Sequence, residues 1–122
     1  MFEEAAAALA ELGADVPAGV VVTESSCGTL TARDLPALAF AWLNELLGRA
    51  AALGVALEGG RVERLEPVQP EAEGWELDGI ARLVPFGPGA AVFRRDVKAV
   101  TFHRLAVEGD ARGWTLTAYA DL

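Results

Sequence analysis

The segment TARDLPALAFAWLNELLGRAAALG, residues 31–54, contains the strongest helical pattern in the chain. Thr31 to Asp34 has the T-x-x-D form that opens helices, and Pro36 is tolerated in the first helical turn. Gly54 is placed to end the helix. Apolar residues recur along it at steps of three and four: Leu35, Leu38, Ala39, Trp42, Leu43, Leu46 and Leu47. This wide apolar face predicts a helix buried against a sheet.

A second helix and a short strand are predicted before this segment. Residues 1–12 carry one apolar stripe, and Gly13 is placed to terminate that helix. Residues 20–23 are a β-branched run typical of a strand, and residues 24–26, Glu-Ser-Ser, are interpreted as a turn. The members of the stripe are Phe2, Ala5, Ala6 and Leu9.

After the long helix the apolar period changes from helical to two, which predicts strands. Val55 and Leu57 lead to Gly59-Gly60, interpreted as a hairpin turn. The pattern then predicts strands over 62–68, 75–84, 97–107 and 114–120, with loops at 67–74 and 85–89 and a turn at 108–113. The predicted fold is a single α+β domain over residues 1–122, with two helices packed on one face of a largely antiparallel β-sheet.

Composition limits the classes of function. The formal charge is −8, with 18 acidic and 10 basic residues, which disfavours direct high-affinity binding of nucleic acid and suits a cation or a basic protein surface. No apolar run approaches membrane-spanning length, and no signal segment is visible, so a cytoplasmic location is predicted. The single Cys27 is expected to be a small buried or half-buried residue rather than a nucleophile.

Three residues near the C-terminus are candidates for function: Lys98, His103 and Asp121. Pairing Val107 with Trp114 would place Asp121 opposite Val100, and Lys98 would then share a face with Asp121. A slip of one residue would separate them. His103 has the opposite parity to Lys98 and is predicted to point to the other face unless a bulge intervenes.

A metal site is also considered at the C-terminus. The side chain of Asp121 and the carboxylate of Leu122 place two oxygen donors within one residue, as a hard cation such as calcium or magnesium prefers. Motifs for nucleotide cradles, zinc clusters and serine hydrolases are absent from the sequence. A self-sufficient enzyme is therefore not indicated.

Four segments resemble the archease family in the family's order. Residues 96–107, DVKAVTFHRLAV, are similar to its signature V/I-K-A-x-T-Y/F-H-x-L-x-V, and residues 113–122, GWTLTAYADL, are similar to its closing strand. Residues 42–47, WLNELL, resemble its W-L-N-E-L-L helix, and residues 2–6, FEEAA, its F-E-x-A-A start.

The resemblance implies an accessory protein that activates the RtcB-type RNA-splicing ligase. The expected activity is to promote guanylylation and multiple turnover of the ligase in tRNA splicing and RNA repair. Lys98 and Asp121 would take part in activation, and Asp121 and Leu122 would bind a divalent metal, with calcium expected. His103 would have a structural role or would support the groups that bind the metal.

One departure from the family pattern raises alternatives. Archeases usually begin with a strand holding H-T-A-D-x-G, whose aspartate is a further metal ligand, and this sequence starts just after that point. Either Met1 is an internal methionine of a longer reading frame, or the sequence is shortened, or the strand is absent. Without the strand, metal affinity is doubtful, and an exposed edge is expected to favour a homodimer. Two other functions stay open: a stand-alone metal-dependent enzyme acting on a nucleotide or phosphate substrate, and a shortened inactive paralogue.

Overall fold

The computed structural model describes residues 1–68, 73–110 and 112–122, and the side chains of all of these except 103, 104 and 110. Two helices and seven strands lie in these ranges. In chain order they are α1 (Phe2–Gly13), β1 (Ala14–Asp15), β2 (Thr23–Ala32), α2 (Leu35–Leu53), β3 (Ala56–Pro67), β4 (Trp75–Val84), β5 (Val92–Phe93), β6 (Ala99–Asp110) and β7 (Gly113–Asp121).

The predicted long helix is α2, and its ends have local chemical causes. The carboxylate of Asp34 accepts a hydrogen bond from the Ala37 N–H at 2.8 Å, so Asp34 is the N-cap. Gly54 ends the helix with a φ of 67°, a left-handed conformation that favours glycine. Thr31 does not belong to the helix start, because it pairs within β2.

The strands form three antiparallel sheets rather than one. The largest has the order β2-β4-β3; the other two are the hairpin β6-β7 and the short pair β1-β5, whose strands are distant in the chain. Residues from α1, α2 and the three-stranded sheet share one apolar core with Val100 of β6. The α+β class, with two helices and antiparallel pairing, is therefore confirmed.

The predicted hairpin turn at Gly59-Gly60 is wrong, because β3 continues through both glycines. The reason is the Trp42 side chain, which is fully buried against the sheet. A Cβ at Gly60 would lie 2.5 Å from Trp42 Cζ2, and a Cβ at Gly79 of β4 would lie 2.8 Å from Trp42 Cη2. The glycines thus provide room for an indole ring and do not turn the chain.

The interpretation of residues 20–26 is also wrong. β2 begins only at Thr23, and it includes the three residues that were interpreted as a turn. Glu24 is paired with Arg82 of β4, and its carboxylate contacts Arg61 at 3.3 Å and Arg82 at 3.4 Å. These partners are 37 and 58 residues away, so the local sequence alone does not reveal them.

The other predicted loops are placed as follows. The chain turns at residues 85–91, where the Ala90 N–H donates to Gly87 O at 3.0 Å, as the loop prediction required. The loop predicted at 67–74 is shorter, since β3 includes Pro67, and its residues 69–72 lie outside the described residues. The turn predicted at 108–113 is shorter too, because β6 runs to Asp110; residue 111 lies outside the description.

Within the described part of the chain, no helix combines the length and the apolar character needed to cross a membrane. Cys27 is 7% exposed, which confirms its predicted burial. Burial raises the pKa of the Cys27 thiol, because the thiolate is poorly solvated between the sheet and α2. A thiol with a raised pKa is a poor nucleophile.

Candidate functional site

The candidate site lies where β6 begins and β7 ends. Asp121 is the last residue of β7, and it pairs with Ala99, the first residue of β6. Lys98 immediately precedes β6, and its backbone N–H donates a hydrogen bond to Asp121 O at 2.8 Å. The backbones of two predicted site residues are therefore adjacent, and both residues are exposed to solvent.

The register that was predicted for this hairpin is wrong. Near the turn, Val107 pairs with Leu116 rather than with Trp114. At the other end, Asp121 lies opposite Ala99 rather than Val100. The physical reason is twofold: β6 and β7 are longer near the turn than predicted, and a bulge interrupts β6 between Thr101 and Ala106.

The corrected register removes the argument that placed Lys98 on the face of Asp121. In a regular ladder Asp121 shares its face with Ala99, so the residue before Ala99 has the opposite parity. Lys98 lies outside the ladder, however, and the alternation of β6 does not fix its side chain. Among the described residues, no ion pair within 4.0 Å joins the two side chains. A functional partnership of Lys98 and Asp121 stays a prediction.

His103 lies within the bulged part of β6. A bulge breaks the strict alternation of side chains, so the parity argument that separated His103 from Lys98 does not apply. The side chain of His103 is outside the described residues, and its predicted structural role stays a prediction.

The donor set for a metal at the C-terminus is small. Asp121 and Leu122 are exposed and offer carboxylate oxygens, which suit calcium or magnesium. Calcium takes six to eight oxygen ligands. In the described ranges, no group of three or more His, Cys, Asp or Glu side chains is arranged so that it could hold a metal ion. The residues present therefore do not form a complete metal site, and calcium binding stays a prediction.

The sequence analysis missed one residue that supports this site, Asn44 of α2. Its Nδ2 donates to Val100 O at 3.0 Å, and its Oδ1 accepts from the Val100 N–H at 2.9 Å. The same Nδ2 donates to Phe40 O, one helical turn earlier, at 3.1 Å. A sequence signal existed, because Asn44 is a polar residue directly beside the buried Leu43 and close to the buried Leu46.

A second polar cluster covers the face of the three-stranded sheet opposite the helices. Arg64 binds Asp78 at 2.8 Å and Glu76 at 2.9 Å, and it also contacts Glu66. These hydrogen bonds raise the pKa of Arg64. The bonds from Arg64, and next that from Thr29, lower the pKa of Asp78. Paired charges of this kind stabilise the register of neighbouring strands.

Taken together, these features define a small α+β domain with an exposed, polar end on its C-terminal hairpin. The chain matches the family described as the Archease protein family over residues 1–122. It is 33% identical to a protein archease of Methanopyrus kandleri, covering 100% of this chain and 84% of that protein. It is 29% identical to a protein archease of Methanosarcina acetivorans, covering 100% of this chain and 81% of that protein.

A solved structure gives the same assignment. The solution structure of Methanobacterium thermoautotrophicum protein 1598 matches with a TM-score of 0.71 and 27% identity. The match covers 99% of this chain and 82% of that chain. The chain belongs to the Archease family, as the resemblance of its four segments indicated.

Proposed function

We propose that this protein is an accessory factor that activates an RtcB-type RNA ligase in the cytoplasm. Its role would be to promote guanylylation of the ligase and its repeated turnover in tRNA splicing and RNA repair. Family membership supports the proposal. The observation that carries it is the Lys98 N–H to Asp121 O hydrogen bond, which joins the family-like DVKAVTFH segment to the C-terminal Asp121-Leu122.

The exposure of the two residues is consistent with contact to a partner. Neither Lys98 nor Asp121 is buried by this chain, so an amine and a carboxylate are available at one end of the hairpin. Both groups could position a nucleotide phosphate or a metal-bound oxygen in the ligase site. The net charge of −8 would favour docking on a basic surface of the ligase.

Replacing Lys98 with alanine should lower activation of the ligase by about tenfold, the equivalent of one lost charge-assisted hydrogen bond. The fold should be unchanged, because the Lys98 side chain is exposed and the hydrogen bond to Asp121 uses its backbone. The measurement is the rate of ligase–GMP formation with and without the variant, alongside its thermal unfolding midpoint.

The matched control is Arg33→Ala, which removes one positive charge from an exposed site at the start of α2. This variant should activate like the unchanged protein, since it does not alter the end of the hairpin. Full activation by Lys98→Ala would remove Lys98 from the mechanism. Turnover of a nucleotide by the purified chain without ligase would instead support the alternative of a stand-alone enzyme.

We also propose that Asp121 and the terminal carboxylate of Leu122 bind a divalent cation, with calcium preferred. Because these two groups supply only part of a shell, the expected affinity for the isolated chain is weak, with a Kd of about 10⁻⁴ to 10⁻³ M. Millimolar calcium should raise the unfolding midpoint of the unchanged protein, and Asp121→Asn should abolish the rise. An equal midpoint with and without calcium and manganese would contradict the site.

A further inference from the structure

We propose that Asn44 is a positioning residue that holds the end of the hairpin in place for ligase activation. The inference rests on the proposed function, because it assigns Asn44 to the site of Lys98 and Asp121. Its basis is the pair of hydrogen bonds, at 3.0 and 2.9 Å, that the Asn44 amide makes with both backbone groups of Val100.

Among the described residues β6 pairs only with β7, and these two bonds take the place of a second neighbouring strand. The N–H and C=O of one residue leave a β-strand on the same side, so the Val100 groups that bind Asn44 point away from β7. Val100 is 3% exposed, so its N–H and C=O need partners within the protein, and the Asn44 amide supplies them. Asn44 offers one donor and one acceptor, which is the set that a paired strand residue would present.

The amide is also fixed in orientation by its own helix. Asn44 Nδ2 donates to Phe40 O of α2 at 3.1 Å and to Val100 O at 3.0 Å, so the nitrogen faces two carbonyl oxygens. A flipped amide would direct its oxygen at both of them. These contacts therefore determine the orientation of the Asn44 amide. Through this amide, the position of α2 constrains the position of β6.

From Val100 the connection to the candidate site is short. Val100 pairs with Ala120, the residue before Asp121, and it lies two residues after Lys98. Asn44 thus anchors the strand between the core and the exposed pair. Loss of the anchor should let the start of β6 separate from α2, which would misplace both Lys98 and Asp121.

The first test is Asn44→Asp, which keeps the size and the acceptor but places a second oxygen against Val100 O and Phe40 O. Hydrogen exchange of the Lys98 amide, read by NMR on the full chain, should accelerate by about tenfold, and ligase activation should fall by about tenfold. Asn44→Ser removes the amide without adding charge and should give the same direction of change if the aspartate variant fails to fold.

The matched control is Arg49→Met, which removes a polar contact from the same helix to a different strand. Arg49 Nη1 donates to Ser25 Oγ of β2 at 3.2 Å. This variant should leave exchange of the Lys98 amide and ligase activation within twofold of the unchanged protein, because β2 does not carry the candidate site. Faster Lys98 exchange in Arg49→Met to the same extent would overturn the specific role of Asn44.

A double-mutant cycle separates a positioning role from a merely structural one. In the Lys98→Ala background, Asn44→Asp should cause a smaller loss of activation than in the unchanged protein, because one of the two groups that it positions is already absent. An equal further loss would overturn the proposal, as would full activation by Asn44→Asp despite faster exchange. If Lys98→Ala alone activated fully while Asn44→Asp reduced activation, the assignment of Lys98 under the proposed function would fail, and Asn44 would act through Asp121 alone.

Discussion

Gly79→Ala is expected to lower the free energy of unfolding by about 3 kcal/mol, the upper end of typical overpacking costs. The added Cβ would lie 2.8 Å from Trp42 Cη2 and 2.9 Å from Leu77 Cδ2, and it would also meet Trp42 Cζ3. Neither neighbour can withdraw, because Trp42 and Leu77 are both fully buried. The Trp42 Nε1–H also donates to Phe2 O at 3.1 Å, which ties the ring to α1.

Urea denaturation followed by tryptophan fluorescence would measure this loss. The control is Gly48→Ala, since a Cβ at Gly48 in α2 meets nothing within 4 Å. That substitution should stabilise the protein by about 0.5–1 kcal/mol through helix propensity. Reducing the ring with Trp42→Phe should recover part of the loss in the Gly79→Ala background. Equal denaturation midpoints for Gly79→Ala and the unchanged protein would contradict the prediction, because they would show that the Trp42 ring can move to make room for the added Cβ.

Gly79 also shows which part of the fold the sequence could predict. The alternation of residues 75–84 placed Gly79 on the same side as Leu77 and Ala81, and the structure confirms that this side is buried. The prediction failed at Gly60, whose role is the same. A pair of glycines has two common uses, a turn and a close approach, and only the distant Trp42 distinguishes them.

The same difference between local and distant contacts decides which features of the candidate site could be predicted from the sequence. The helix cap at Asp34 uses atoms three residues apart, so a local pattern located it closely. The register of β6 and β7 depends on a bulge between Thr101 and Ala106, and no local sequence pattern predicts that bulge. Asn44 acts on Val100, 56 residues away, and its role becomes visible only when the backbone hydrogen bonds of β6 are traced.

Cys27 of the folded protein is expected to react with a thiol reagent at pH 8 at least about a hundredfold more slowly than Cys27 of the unfolded chain. Two causes act together: the residue is 7% exposed, and burial raises the pKa of its thiol. Arg49 opposes the pKa shift and Glu45 adds to it, but desolvation is the largest cause. The check is the labelling rate in buffer and in urea. Equal rates would show that β2 opens readily.

The raised pKa of Cys27 also makes stability depend on pH in one direction. The folded state holds the thiol proton more tightly than the unfolded state, whose thiol has the ordinary pKa of 9.0. The stability that the protonated thiol contributes to the folded state is therefore fully present below that pH. It is lost as the pH rises through the higher pKa of the folded state. Compared with Cys27→Ala, which lacks the group, the unchanged protein should lose up to about 1.4 kcal/mol of stability per pH unit in this window. A stability difference between the two proteins that stays constant from neutral pH to pH ~10 would contradict this prediction. It would mean that the thiolate is as well solvated in the folded chain as in the unfolded one, although Cys27 is buried between the three-stranded sheet and α2.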